Sequence, residues 1–474
     1  IYRMHTNTSE EWAQLIFGNA NLGDPRRTRR LAVLASDMAE NADSSIVKAS
    51  DTPAKIEAAY RFIRNEKISP QAIADSGFSQ TSEAVKQLPL VLAIQDTTGL
   101  TFKHSVCKEL GDVNCANTLG KPSKTRTLYA HSTLAIDADT EHVIGLLDQY
   151  YWFRKSKVKG TKDQQQLRPY EEKESYRWQQ TLMDIKIRTG ELSNILNICD
   201  READIYEYMT YQKDEGHRFL VRAKENRKLI EPQCNLNQLI ETAQGQCCYT
   251  INIAQRAGRK ARQARITLSY QPITLAKPKR VQGQESPTLS VNVIVCQEKE
   301  STQKNPLCWI LYTTEPVNTA EDAQKLVRYY ELRWRVEEFH KTWKTDGTEV
   351  EDLRLQHSDN ILRIAIIKAF IAVRLLQLQN MAQRSELAKE VRCTTCVKEM
   401  TWKLLWAKVE KDVLPDKVPS LHWLYYSLAK LGGWYDSKRN GRVGVKALWK
   451  GWLKLAEMVE SAELLISIQQ TEKL

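Results

Sequence analysis

Residues 88–96 read LPLVLAIQD, an apolar run that stops on a carboxylate. A run this short, opened by a proline and closed by polar residues, predicts a strand buried on both faces. Asp96 then stands at its carboxyl end. Outward from it, TTGLTF (97–102), LYAHSTLAID (128–137) and HVIGLLDQYYW (142–152) predict further strands, and KESYRWQQTLMDIKIRT (173–189) predicts a helix. NILNICD (194–200) repeats the opening pattern with Asp200 last, and HRFLVRAK (217–224) supplies another strand. Three strands, a helix, a strand, a helix or loop and a strand describe a mixed α/β sheet.

The flanks read differently. Residues 1–70 predict helices, because Asp24-Pro25 and Thr52-Pro53 each place a capping side chain before a proline at the first helical position. Residues 225–305 are rich in Thr, Gln, Val and Ile and predict a β-rich insertion, with YTINIAQ, ARITLSY and LSVNVIVCQ as its strands. CWILYTT (308–314) returns to a core strand. Beyond residue 365 the chain predicts helices to its end, with a linker at DVLPDKVPS (412–420). The expected division is 1–70, 71–365 with the insertion at 225–305, and 366–474.

The 474 residues are 42% hydrophobic and 27% charged, with a formal net charge of +11. That composition is globular, and the charge favours a polyanionic partner. The basic residues cluster. Arg256, Arg259, Lys260, Arg262, Arg265, Lys277, Lys279 and Arg280 lie in an interval free of acidic residues, and FRKSKVKGTK (153–162) follows Tyr150, Tyr151 and Trp152. Lys438, Arg439, Arg442, Lys446 and Lys450 form a third group. Separate patches suit a long groove that meets several phosphates. In GDPRRTRRL (23–31), Arg26, Arg27, Arg29 and Arg30 crowd the start of a helix, a placement that opposes the helix dipole unless anions sit nearby. The ten cysteines form no disulfide framework, and Cys393-Thr-Thr-Cys396 lacks the second pair that a structural zinc site needs. A reducing compartment is expected, with neither a membrane span nor a secretory signal.

Residues 329–344, YYELRWRVEEFHKTWK, are uninterrupted by Gly or Pro and predict a helix. At about 100° per residue, Tyr330, Arg333, Glu337 and Lys344 fall within roughly 60° of one another, on one face. An exposed helix laced with ion pairs, such as Glu337 with Lys341, would have the same composition. Asp96, Asp200 and Glu337 together would repel one another unless a cation neutralised them, and all-oxygen ligands suit Mg²⁺ or Mn²⁺. Two such ions can drive phosphodiester chemistry. Asp137, Asp139, Glu202 and Asp204 are rival carboxylates, and a carboxylate pair alone would also suit a glycosidase.

The spacing Tyr330-x2-Arg333-x3-Glu337-x6-Lys344 resembles the Tyr-Arg-Glu-Lys signature of the DDE transposases of the insertion-sequence-four family. CDREADIY around Asp200 and AIQDTT around Asp96 resemble its aspartate motifs. GDPRRTRRL, AYRFIRN, EKES, PLCWILYTTEPV and LGGWYDSKRNG are similar to its Tn-five-type members, so the likeness runs along nearly the whole chain. The resemblance implies a ribonuclease-H-like catalytic core with a β-rich insertion, flanked by a helical N-terminal domain that binds DNA ends and a helical C-terminal domain that dimerises. It implies Asp96, Asp200 and Glu337 as catalytic ligands of two Mg²⁺ ions, with Mn²⁺ able to substitute. It implies Tyr330, Arg333, Lys344, Trp309, Arg222, Lys224, Arg26, Arg27, Arg30, Lys438 and Arg439 as DNA contacts, Trp309 stacking on a flipped base. The implied activity is cut-and-paste transposition through a DNA hairpin. Its implied setting is the bacterial cytoplasm, on nucleoid DNA, with transposon-end and target DNA as partners and a homodimer bridging two ends. A metal-dependent endonuclease without strand transfer and a non-catalytic DNA-binding regulator are the competing roles. The intact triad and full N-terminal segment argue against the regulator.

Overall fold

The computed structural model describes residues 9–40, 45–50, 52–102, 126–153, 168–253, 262–281, 286–298, 306–383, 385–395, 397–435 and 443–471. Helices α1 (Ser9–Phe17), α2 (Pro25–Glu40), α3 (Ile46–Ala49), α4 (Pro53–Ile63) and α5 (Pro70–Val85) come first. The capping signal at Thr52 operates as read: its side chain accepts from Lys55 N, and Pro53 opens α4. Strands β1 (Val91–Phe102), β2 (Arg126–Asp137) and β3 (Val143–Phe153) form an antiparallel meander. After α6 (Arg177–Thr189), β4 (Ile195–Cys199), α7 (Tyr206–Asp214) and β5 (Arg218–Arg222) continue the sheet in parallel with β1.

The β-rich insertion extends the central sheet. After β6 (Leu229–Glu231), α8 (Leu236–Thr242) and β7 (Cys247–Ile253), the long strands β8 (Arg262–Ala276) and β9 (Thr288–Glu298) pair onward to β10 (Cys308–Thr313). β10 pairs antiparallel with β5, so one ten-stranded sheet runs β3-β2-β1-β4-β5-β10-β9-β8-β6, with β7 beside β8. Because β10 must close onto β5, the inserted strands share its hydrogen-bond ladder rather than fold by themselves.

The strand of LPLVLAIQD also differs from expectation. β1 runs on through TTGLTF without a break, so Asp96 lies in its middle. What ends at Asp96 is the parallel pairing: β1 and β4 are matched up to Gln95 and Cys199, and beyond that, among the described residues, β1 pairs with β2 alone. Both faces of this sheet are covered, which is why β1 and β4 open as unbroken apolar runs. Leu92, Ile94, Leu134, Leu196 and Ile198 bury one face with the N-terminal helices and α11 (Ser358–Gln383). Val91, Ala93, Ile195 and Cys199 bury the other beneath Trp178 and Leu182 of α6 and Tyr208 and Met209 of α7.

Buried cations on α11 lock the N-terminal helices to this core. Arg363 donates to the carbonyl of Ile63 at the end of α4 and to that of Ile68 in the connection to α5, and Arg374 donates to Ser9 Oγ at the start of α1. Carbonyls at a helix end lack intrahelical partners, so a buried guanidinium satisfies them. Helices α12 (Ser385–Glu390), α13 (Glu399–Val409), α14 (Leu421–Leu431) and α15 (Val445–Thr471) follow, α13, α14 and α15 sharing a core with Trp402, Tyr425 and Leu448.

The expected continuous helix over 329–344 is broken. It consists of α9 (Ala320–Glu331), a joint at Leu332 and Arg333, α10 (Trp334–Lys341) and a π-helical turn, Thr342–Asp346. Thr319 and Asp322 form a capping box that starts α9. π-helical turns recur where a helix is re-aimed, and this one carries Lys344.

Candidate active site

Strand register builds the floor of the site. Asp200 follows Cys199, the last residue of β4 matched to β1, so it stands beside Asp96. Asp96 is opposite Ser132 on β2, and Ser132 is opposite Gln149 on β3. Side chains alternate along a strand, so Asp200, Asp96, Ser132 and Gln149 form one polar row on one face of the sheet. Helix α10 lies across β1 and β2 on this face. It delivers Glu337 and His340 above the row.

The carboxylates feel one another. Burial pushes the Asp96 carboxyl up to about 7; the charges of Asp200 and Glu337 add to the rise, while Arg333 and the Thr97 amide oppose it. Asp96 Oδ1 accepts from Thr97 N at 2.9 Å, and Asp200 Oδ1 accepts from Glu202 N at 2.8 Å, which fixes both at the floor. Glu337 Oε1 accepts from Arg333 Nη2, so its i,i+4 partner is Arg333. Among the described residues, no three His, Cys, Asp or Glu side chains form a ready-made metal cage. The donor set nonetheless fits a hard divalent cation. It is three carboxylates from three elements, and the repulsion at Asp96 is what such a cation would relieve.

His340 is the site residue that sequence reasoning missed. Buried on α10, it places Nε2 3.1 Å from Ser132 Oγ and Nδ1 3.8 Å from Asp96 Oδ2. Burial, with Lys344 and Arg333 nearby, pushes its imidazole down to about 3, so the ring is neutral. Its position three residues after Glu337 was the available signal. Ser132 and Gln149 could be found only from the register.

Around the floor stand the other expected residues. Tyr330 is buried at the end of α9 and meets the half-buried Trp309 of β10 edge to face, centroids 5.3 Å apart. Arg222 ends β5, donates to the Cys308 carbonyl at 3.1 Å and lies beside the Tyr330 hydroxyl. Lys344 Nζ donates to the Gly99 carbonyl at 2.7 Å and lies 3.5 Å from Glu351. Glu351 in turn accepts from Thr101 N at 2.7 Å, so Lys344 sits against the far half of β1. Lys224 is exposed just past β5.

The rival carboxylates are engaged elsewhere. Asp204 is fully buried against Arg227 and also accepts from the amides of Lys224 and Glu225, so it holds the turn that carries Lys224. Asp137 accepts from Asp139 N and Thr140 Oγ1 in the turn after β2, and Asp139 is exposed there. Glu202 faces Arg177.

On α2, Arg26 is exposed and grips Asp24, holding that carboxyl down at about 2. Arg27 donates to the Leu22 carbonyl, and Arg30 is half-buried. Within the basic interval, Arg262 is internally paired with Glu298. Lys438, Arg439, Arg442, Cys396, Arg256, Arg259, Lys260 and most of FRKSKVKGTK lie outside the described residues, whereas Cys393 is buried in a short turn. No described helix is long and apolar enough to cross a membrane.

Residues 9–68 match the family model for transposase DNA-binding, and residues 164–374 match the model for the transposase DDE domain. The second span contains Asp200, Glu337, Arg333 and Lys344; Asp96 lies upstream of it and joins them through the β1–β4 register. A transposase DNA-binding match ahead of a match to the transposase DDE domain, which is ribonuclease-H-like, supports a DNA transposase.

Proposed function

We propose that the chain performs cut-and-paste transposition with Asp96, Asp200 and Glu337 as its catalytic carboxylates, as its resemblance to the insertion-sequence-four family implies. The observation that carries the reading is the convergence of Asp96 and Asp200, side by side on parallel strands, under the helix that presents Glu337. The three carboxylates would hold two Mg²⁺ ions, or Mn²⁺ in their place. Bound there, the cations activate a water or hydroxyl and stabilise the leaving oxygen of a phosphodiester.

The remaining residues bind and orient DNA. Arg333 and Lys344 each rest on an internal carboxylate, Glu337 and Glu351, and each exchanges it for a backbone phosphate of the transposon end. That exchange also frees Glu337 for its cation. Tyr330 backs Trp309, which stacks on a base flipped from the duplex; an extruded base loses its neighbours and gains about 1–3 kcal/mol from an aromatic face. Arg222 and Lys224 flank the same end from β5. Arg26, Arg27 and Arg30 on α2 read the end sequence, with Lys438 and Arg439 as further contacts.

Water cuts one strand, the freed 3′-hydroxyl attacks the opposite strand to close a hairpin, and a second water reopens it. The same 3′-hydroxyl then attacks target DNA. Two copies bridge the two ends, and the exposed Leu464, Leu465, Ile466 and Ile468 of α15 support a C-terminal pairing surface. The test is incubation with end DNA, a plasmid target and Mg²⁺, followed by denaturing gels. Hairpins and end-to-target joints establish the reading. Nicks without joints, on verified end DNA, assign the chain to hydrolysis alone and overturn it.

A further inference from the structure

The polar row at the floor of the site continues past the carboxylates, and its protons can be counted. Tyr151 OH donates to Gln149 Oε1 at 2.8 Å, which turns the Gln149 amide nitrogen toward Ser132. That nitrogen donates to Ser132 Oγ at 3.0 Å. Ser132 has one proton of its own, and the ring nitrogen 3.1 Å away, His340 Nε2, is placed to take it. With Nε2 an acceptor, a neutral imidazole keeps its proton on Nδ1.

Nδ1 faces Asp96 Oδ2 at 3.8 Å. Asp96 Oδ1 is already bonded to Thr97 N, so Oδ2 is the oxygen left to be steered. At 3.8 Å the contact is longer than a hydrogen bond. The N–H dipole still attracts the carboxylate, and such contacts tighten when a site fills.

We infer that His340 is a positioning residue, held in its Nδ1–H tautomer by Ser132 and Gln149 so that it orients the Asp96 carboxylate for its cation. This inference rests on the reading of Asp96 as a cation ligand. Partners that orient a metal-binding side chain typically change affinity or activity by about 10–100-fold when lost. His340 acts on Asp96 from α10, the helix that carries Glu337, so the two ligands are set against each other by one rigid element.

Two substitutions separate this role from packing. His340→Asn keeps an amide nitrogen near the place of Nδ1, whereas His340→Gln keeps one near Nε2. Mn²⁺ affinity is measured by calorimetry on the full chain without DNA, and cleavage of end DNA is followed over a Mn²⁺ titration. H340N is expected to stay within about threefold of wild type, and H340Q to weaken Mn²⁺ binding about tenfold or more. Equal behaviour of the two variants, or better retention by H340Q, overturns the inference. Ser132→Ala removes a single oxygen and serves if either His340 variant fails to fold. Freeing the tautomer should weaken Mn²⁺ about threefold to tenfold, and unchanged affinity overturns the inference. Wild type that neither binds Mn²⁺ nor cuts end DNA would instead remove the reading of Asp96 on which the inference rests.

Discussion

Asp96→Asn should stabilise the cation-free protein, and by more as the pH rises. Burial and two neighbouring carboxylates hold Asp96 at about 7, against an ordinary value of 3.8. A folded-state value above the unfolded one means that the proton is bound more tightly in the folded chain. The stabilising contribution is therefore complete below the unfolded value and is lost as the pH climbs through about 7. Integrating between these values makes the raised folded value cost the fold about 1.5 kcal/mol near pH 5 and about 4 kcal/mol near pH 8, relative to acid. Asparagine does not ionise, so its stability relative to wild type should grow by about 2.5 kcal/mol over that interval.

Urea unfolding of both proteins in chelator, near pH 5 and near pH 8, measures the change. Any fixed effect of the amide cancels between the two conditions. A gap that stays constant or shrinks would refute the argument, because Asp96 would then ionise as freely in the folded chain as in the unfolded one. Adding Mn²⁺ near pH 8 should narrow the gap. A cation at about 100 times its dissociation constant stabilises the folded state by about 2.7 kcal/mol, which offsets more than half of the roughly 4 kcal/mol, and only wild type keeps the full ligand set.

Glu337→Ala should abolish cleavage of end DNA while leaving end binding largely intact in a gel-shift titration; equal loss of both would count against a catalytic role. Trp309→Ala should slow hairpin formation about 5- to 150-fold through lost stacking, and Trp309→Phe should recover most of it, as read by single-turnover gels. Asp204→Asn should lower stability by about 3–5 kcal/mol in urea unfolding, because it strands the buried Arg227 guanidinium. A D204N chain of normal stability that binds ends but does not cut would return Asp204 to the catalytic candidates.

Much of the core was legible because burial on two faces writes continuous apolar runs into LPLVLAIQ and NILNIC. Register is different. Nothing local to AIQDTT shows that β4 stops pairing with β1 at Gln95 while β2 pairs on to Phe102, and that mismatch is what exposes Asp96 in mid-strand. The joint at Leu332 and Arg333 was equally hidden, since no Gly or Pro marks it. The alternating strands of the β-rich insertion were legible, but only the closure of β10 on β5 shows that they extend one ladder.

The partner of Glu337 shows where periodicity stops informing. Arg333 lies four residues before it and Lys341 four after, and both satisfy the spacing of a helical ion pair. The fold decides between them by position. Lys341 is exposed on α10, whereas Arg333 is partly buried and drawn in by Tyr330, Glu337 and Asp96 together. The same logic separates Asp200 from Asp204 in CDREADIY. A single 3-10 turn, Arg201–Ala203, leaves Asp200 beside Asp96 and carries Asp204 to Arg227. Charge near the site is thus sorted by which carboxylate has an internal cation of its own. Asp204 is consumed by Arg227, Glu351 shares Lys344, and Asp96 and Asp200 face each other with Arg333 as the cation that offsets the rise at Asp96 among the described residues. A site left short of positive charge in this way is one that an incoming cation stabilises.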